Sequence, residues 1–105
     1  MSDIGVEELA RRRSAGEGLM IVDVREQWEV EIASIPGATH IPMARVVADP
    51  AAVPRDREVV VMCHAGGRSR RVVDYLVGAG YDRVRNLAGG IDAWSQRIDP
   101  TVTRY

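Results

Sequence analysis

Apolar positions in this chain come in short blocks of two kinds. "LMIVDV" (19–24) and "EVVVM" (58–62) are continuous apolar runs, the pattern of strands buried on both faces of a parallel sheet. "RVRNL" (83–87) predicts a further short strand. Between these runs the spacing is helical. "GVEELARR" sets Val6, Leu9 and Ala10 on one face, with Glu7 and Glu8 at the positive end of the helix dipole, and "GEG" (16–18) breaks it. "REQWEVEIA" (25–33) predicts a brief amphipathic helix. "SIPGATHIP" (34–42) is turn chemistry with a few extended residues, and "MARVVAD" (43–49) is a second short helix stopped by Pro50 and Pro54. In "SRRVVDYLVGAG" (69–80), Val72, Val73, Leu76 and Val77 oppose Arg70, Arg71 and Asp74. That helix should end at Gly80, with Tyr81 packing back on its last turn. "GGIDAWSQRI" (89–98) predicts the final helix. Strands alternating with helices at this spacing predict an α/β domain, its mostly parallel central sheet covered by helices on both faces. In such sheets reactive groups gather where the carboxyl ends of strands lead into helices.

With 105 residues the chain is expected to form one domain, 1–105, with a core over about 4–97 and a tail at 98–105. The formal net charge of −1 supplies no basic field for nucleic acid or an anionic membrane. No stretch approaches the roughly 18–20 apolar residues that span a bilayer, and the opening residues lack the apolar segment of a secretory leader. The single cysteine, Cys63, has no internal disulfide partner, so a free thiol in the cytoplasm is expected. One cysteine and two histidines do not form a spaced metal-ligand pattern, and neither a metal nor another cofactor is expected.

That cysteine ends the strongest strand pattern, in "VVVMCHAGGRS" (59–69). In most proteins a lone cysteine at a strand end is a small buried hydrophobe. Its company argues for chemistry. Gly66 and Gly67 allow φ > 0, so the loop can curl its backbone N–H groups inward as an anion nest. A helix beginning near Ser69 adds its positive end, and Arg68 adds a fork of permanent donors. A thiol in that cradle should ionise below its free value of about 8.5 and act as a nucleophile on a soft electrophile.

The loop "CHAGGRS" resembles the active-site loop of the rhodanese-like sulfurtransferases, in their single-domain form. Two flanking stretches strengthen the likeness. "IVDVREQWEVEIASIPGATHIP" (21–42) is similar to the family's first signature, an Asp-x-Arg start followed by a Pro-Gly-Ala turn. "NLAGGIDAW" (86–94) is similar to its second, Gly-Gly-x-x-x-Trp. The resemblance covers residues 4 to 97 in the family's order. One departure stands at Ala33-Ser34-Ile35-Pro36-Gly37-Ala38, where many relatives have "GHIPGA" and this chain lacks the histidine. The resemblance implies a two-step reaction. Cys63 takes sulfane sulfur from thiosulfate or a protein persulfide, then passes it to cyanide, a thiol or a sulfur-carrier protein. It implies that the N–H groups of residues 64 to 68 (His64, Ala65, Gly66, Gly67, Arg68), beside Ser69, form the binding loop. Arg68 would orient an anionic donor, and Asp23 and Arg25 would lie near the loop, with Asp23 bracing it. The ending "GGIDAWSQRIDPTVTRY" also resembles the rhodanese segments of adenylyltransferases that serve sulfur-carrier proteins, which makes such a carrier a candidate acceptor.

His64 stays open between tuning the thiol, touching a donor and facing solvent. His40 is expected to be structural, Trp28 and Trp94 to be core, and Gly89-Gly90 to shape a helix start. Two rivals remain. Cysteine-dependent phosphatases and arsenate reductases of the same fold carry one more residue between Cys and Arg, whereas here four separate Cys63 from Arg68. Non-catalytic modules of the fold often lack the cysteine that this chain retains.

Overall fold

The computed structural model describes residues 3–105. The chain runs β1 (Asp3–Ile4), α1 (Val6–Ser14), β2 (Met20–Asp23), α2 (Gln27–Ile32), β3 (Thr39–His40), α3 (Met43–Ala48), a 3-10 turn (Pro50–Ala52), β4 (Val59–Met62), α4 (Gly67–Gly78), β5 (Val84–Leu87) and α5 (Gly90–Arg97). The five strands form one sheet in the order β1-β5-β4-β2-β3, every pairing parallel. The fold is thus the α/β architecture that the spacing predicts.

β4 is central and all four of its residues are buried, which accounts for its unbroken apolar run. The two-residue period of the strands deals their side chains to opposite layers. Val59, Val61 and Cys63 face one layer, with Val22, Val46 of α3, and Val72, Val73 and Leu76 of α4. Val60 and Met62 face the other, with Ile21, Leu9 of α1, and Ile91 and Trp94 of α5. α4 closes as expected: Tyr81 N–H donates to the Leu76 carbonyl at 3.0 Å and Gly80 N–H to Val77 at 3.0 Å, with Gly80 at φ +96°. Val102 packs into the second layer, so residues 98–105 return to the body of the protein.

One strand was not expected, and two expectations need correction. β1 carries no strand signal of its own, because its two residues are held by pairing with Asn86 and Leu87 of β5. α4 begins at Gly67, two residues before Ser69, so of the loop's glycine pair only Gly66 adopts positive φ, at +109°. Trp28, expected in the core, is 59% exposed. The six-residue α2 has one inward face, which Glu29 occupies, and a residue one step earlier lies about 100° round the helix.

α5 starts against the carboxyl end of β4. The N–H groups of Ile91 and Asp92, which have no partner within their own helix, donate to the carbonyls of Cys63 and His64, each at 3.0 Å. That approach requires a glycine. Gly90 sits at φ +58°, and a Cβ there would stand 2.5 Å from the Cys63 carbonyl oxygen. Gly90→Ala should therefore destabilise the protein by about 2–4 kcal/mol, read as a lower urea midpoint at unchanged slope.

Candidate active site

The site lies where β4 turns into α4. Cys63 is 1% exposed, and its Sγ accepts hydrogen bonds from Gly66 N–H at 3.1 Å, Ser69 N–H at 3.4 Å and the Ser69 side chain at 3.3 Å. Gly66 makes the curl possible. Its positive φ turns the chain back over the sulfur, a backbone conformation that residues with a Cβ rarely adopt. Burial pushes the Cys63 thiol up, but donation from the Ser69 hydroxyl and from the backbone of Ser69, Gly66 and Ala65 outweighs it, and the net direction is down. The amides in contact with Sγ thus include Ser69, one residue beyond the 64–68 span implied by the resemblance.

Arg68 does not point freely into the mouth. Its Nη1 and Nη2 form a fork onto Oε1 and Oε2 of Glu29 at 2.6 and 2.8 Å. Glu29 is buried, and its Oε1 also accepts the Glu26 N–H at 3.0 Å as part of a capping box on α2. The Arg68 guanidinium holds the Glu29 carboxyl down at about 2, and the carboxylate in turn raises Arg68 further above its ordinary value.

Asp23 and Arg25 end β2 as a buried ion pair, with Arg25 Nη2 2.7 Å from Asp23 Oδ2 and Nε 2.9 Å from Oδ1. Arg25 further donates to the Ala33 carbonyl at 2.7 Å. The pair does not touch Cys63. It reaches the loop through Tyr105, whose hydroxyl accepts from Arg25 Nη1 and donates to Glu29 Oε2, both at 2.8 Å. The Tyr105 ring stacks on the His64 imidazole with centroids 4.2 Å apart and meets Trp28 edge-on. His64 is therefore shelved on an aromatic ring at the rim. Ala65 and Gly67 are exposed there, and nothing lies within 4 Å of where a Gly67 Cβ would be, so the mouth is open on that side. His40 is structural, its Nε2 2.7 Å from the Arg25 carbonyl. Among the described residues, no group of three or more His, Cys, Asp or Glu could hold a metal ion.

Sequence reasoning missed three residues of this constellation: Glu29, Tyr105 and Asn86. Glu29 had a local signal, the Glu-x-x-Glu spacing with Glu26 that makes a capping box. Tyr105 had none, since its role depends on the path of the chain after α5. Asn86 is a buried polar residue in β5; it is 3% exposed and reaches both Ser69 and Gly66.

The profile of the rhodanese-like domain family matches residues 5–97. The chain belongs to the rhodanese-like family. It is 37% identical over 102 residues to a sulfurtransferase of Allochromatium vinosum, covering 97% of this chain and 95% of that one. It is 31% identical over 103 residues to the adenylyltransferase and sulfurtransferase uba4 of Ogataea parapolymorpha, covering 97% of this chain but 25% of the relative. The crystal structure of a rhodanese-related protein from Thermoplasma volcanium superposes with a TM-score of 0.85 at 27% identity, with all of both chains covered. The loop, the Asp23–Arg25 start and the Gly89-Gly90 helix start thus lie in a rhodanese-like domain whose relatives include named sulfurtransferases.

The Glu29–Arg68 pair makes a pH prediction. The folded-state value of about 2 lies below the ordinary 4.5, so the pair's stabilisation is complete above pH 4.5 and is lost as pH falls through about 2. Urea midpoints measured down that range should fall for the wild type, and Glu29→Gln should lack that component of the decline.

Proposed function

We propose that this rhodanese-like protein is a sulfurtransferase that carries sulfane sulfur as a persulfide on Cys63. The observation that carries the reading is the ring of donors on Sγ, namely Gly66 N–H, Ser69 N–H and the Ser69 hydroxyl, at the positive end of a twelve-residue helix. The cradle favours a thiolate, and a thiolate attacks divalent sulfur. With thiosulfate as donor, Cys63 Sγ attacks the outer sulfur, the S–S bond of thiosulfate breaks, and sulfite leaves with the electron pair. The charge then sits on the outer sulfur of the persulfide, to be held by the N–H groups of the loop over residues 64 to 68, of which Gly66 N–H already donates to Sγ. In the second half-reaction an acceptor thiolate or cyanide attacks that sulfur and Cys63 leaves again as thiolate.

Arg68, held by Glu29, supplies a pre-oriented cation at the rim for an anionic donor. Asp23 and Arg25 act at a distance, by holding Tyr105 and through it Glu29. The likeness to the sulfurtransferase part of uba4 supports a sulfur-carrier protein as acceptor, with the open Ala65–Gly67 side of the rim as its approach. A free thiol fits a reducing compartment, which supports action in the cytoplasm.

Thiosulfate treatment should add the mass of one sulfur atom to the protein, cyanide should remove it, and Cys63→Ser should show neither change. Hydrolysis of an aryl phosphate without sulfur loading would transfer the assignment to the phosphatases of this fold. Arg68→Ala should lower kcat/KM for thiosulfate by about 1–3 kcal/mol of transition-state free energy while a neutral alkylating agent still reaches Cys63. Unchanged thiosulfate kinetics would remove Arg68 from the donor site.

A further inference from the structure

Behind Cys63, away from the mouth, three groups share one proton too few once the thiol has ionised. Ser69 Oγ lies 3.3 Å from Cys63 Sγ and 2.5 Å from Asn86 Oδ1. The orientation of the Asn86 amide is set by its other end, since Nδ2 donates at 3.3 Å to the Gly66 carbonyl, which can only accept. The atom facing Ser69 is therefore an acceptor. All three residues are buried, with Cys63 at 1%, Ser69 at 0% and Asn86 at 3% exposure, so water does not complete the set.

A serine hydroxyl carries one hydrogen. With Cys63 neutral every group is satisfied, because S–H donates to Ser69 Oγ and Ser69 O–H donates to Asn86 Oδ1. When the thiol ionises, Sγ becomes an acceptor only, and Sγ and Oδ1 both require the same Ser69 hydrogen. If Ser69 turns to the sulfur, the buried Asn86 oxygen is left without a donor; if it does not, the thiolate loses its closest side-chain donor. Once Cys63 carries an outer sulfur the negative charge moves to that atom, Sγ is left as a weak acceptor, and the Ser69 hydrogen returns to Asn86.

We propose that Asn86 is a positioning residue that competes with the Cys63 thiolate for the Ser69 hydroxyl proton. Asn86 thereby raises the proton affinity of the empty site above what the cradle alone would set, and it favours the sulfur-loaded state over the bare thiolate. The second consequence rests on the persulfide reading; the first does not. The charged and titratable groups around Cys63 are otherwise committed. Arg68 of α4 is paired with Glu29 of α2, Asp23 of β2 with Arg25, Asp92 of α5 bonds Gln96 and Arg104, and His64 stacks on Tyr105.

The test is the pH profile of Cys63 alkylation by iodoacetamide, which reports one site because the chain has one cysteine. Asn86→Leu removes the competitor and should lower the midpoint by about half a pH unit to one unit. If Asn86 only braced the loop, removing its bond to Gly66 would loosen the amides on Sγ and raise the midpoint, so a rise or no change overturns the proposal. In a Ser69→Ala background, which lacks the contested proton, Asn86→Leu should produce no such fall, and an equal fall there also overturns it. A measurement on the unaltered protein covers the case in which Asn86→Leu does not fold. The Asn86 side-chain carbonyl carbon resonance should titrate with the midpoint of Cys63 alkylation and return to its low-pH position after thiosulfate loading. A resonance that ignores the Cys63 titration sinks the competition. If thiosulfate loads no sulfur while the titration follows Cys63, the transfer reading fails and the competition stands.

Discussion

Peptide units in the loop after β4 are held from outside, and the rest of the site depends on that grip. In a trans peptide the C=O and N–H point in opposite directions. When Asp92 N–H captures the His64 carbonyl, the Ala65 N–H attached to the same unit is turned the other way, toward the sulfur that it helps to ionise. The first turn of α5 thus spends its unpaired donors on aiming the cradle of a different helix. Gly90 is the residue that lets the two backbones approach. On this account the Gly-Gly-x-x-x-Trp signature belongs to the site as fully as the cysteine loop does, although none of its side chains contacts Cys63.

A second constraint is how charge is kept in a buried setting. Two carboxylate–guanidinium pairs, Asp23–Arg25 and Glu29–Arg68, lie below the rim with three of their four members almost wholly covered. Isolated burial of any one would cost several kcal/mol, and a pair holds only when its remaining donors and acceptors are met. Here they are. Arg25 reaches backbone carbonyls, Glu29 takes a backbone N–H of its own helix cap, and the Tyr105 hydroxyl spans the two pairs by accepting from one and donating to the other. The chain of contacts fixes Arg68 and shelves His64 with no ligand in the site, which is the form of pre-organisation that favours charge developing at a set point. The exposed Trp28 edge belongs to the same cluster, on the solvent side of Tyr105.

The elements that the hydrophobic pattern predicts are the ones observed wherever an apolar run or a helical stripe has its own length to declare it: β2, β4, α1, α4 and the Schellman close at Gly80 and Tyr81. The pattern is silent on β1, whose two residues are too few to have a period, and in the six-residue α2, which it does predict, it misplaces only Trp28, which turns outward because Glu29 holds the inner face.

What the sequence determined by itself was the local chemistry: a solitary thiol at a strand end, a glycine that can curl, and an arginine and serine opening a helix. Those follow from residue type and near-neighbour spacing, which act over a few bonds. The tertiary structure decided how the charges and protons are shared. Residues 29 and 68, 25 and 105, and 69 and 86 are far apart along the chain and meet only because parallel strands bring their carboxyl ends to one edge. Hydrogen bonds and ion pairs of that kind depend on distances of a few ångströms between segments, and no local pattern encodes them.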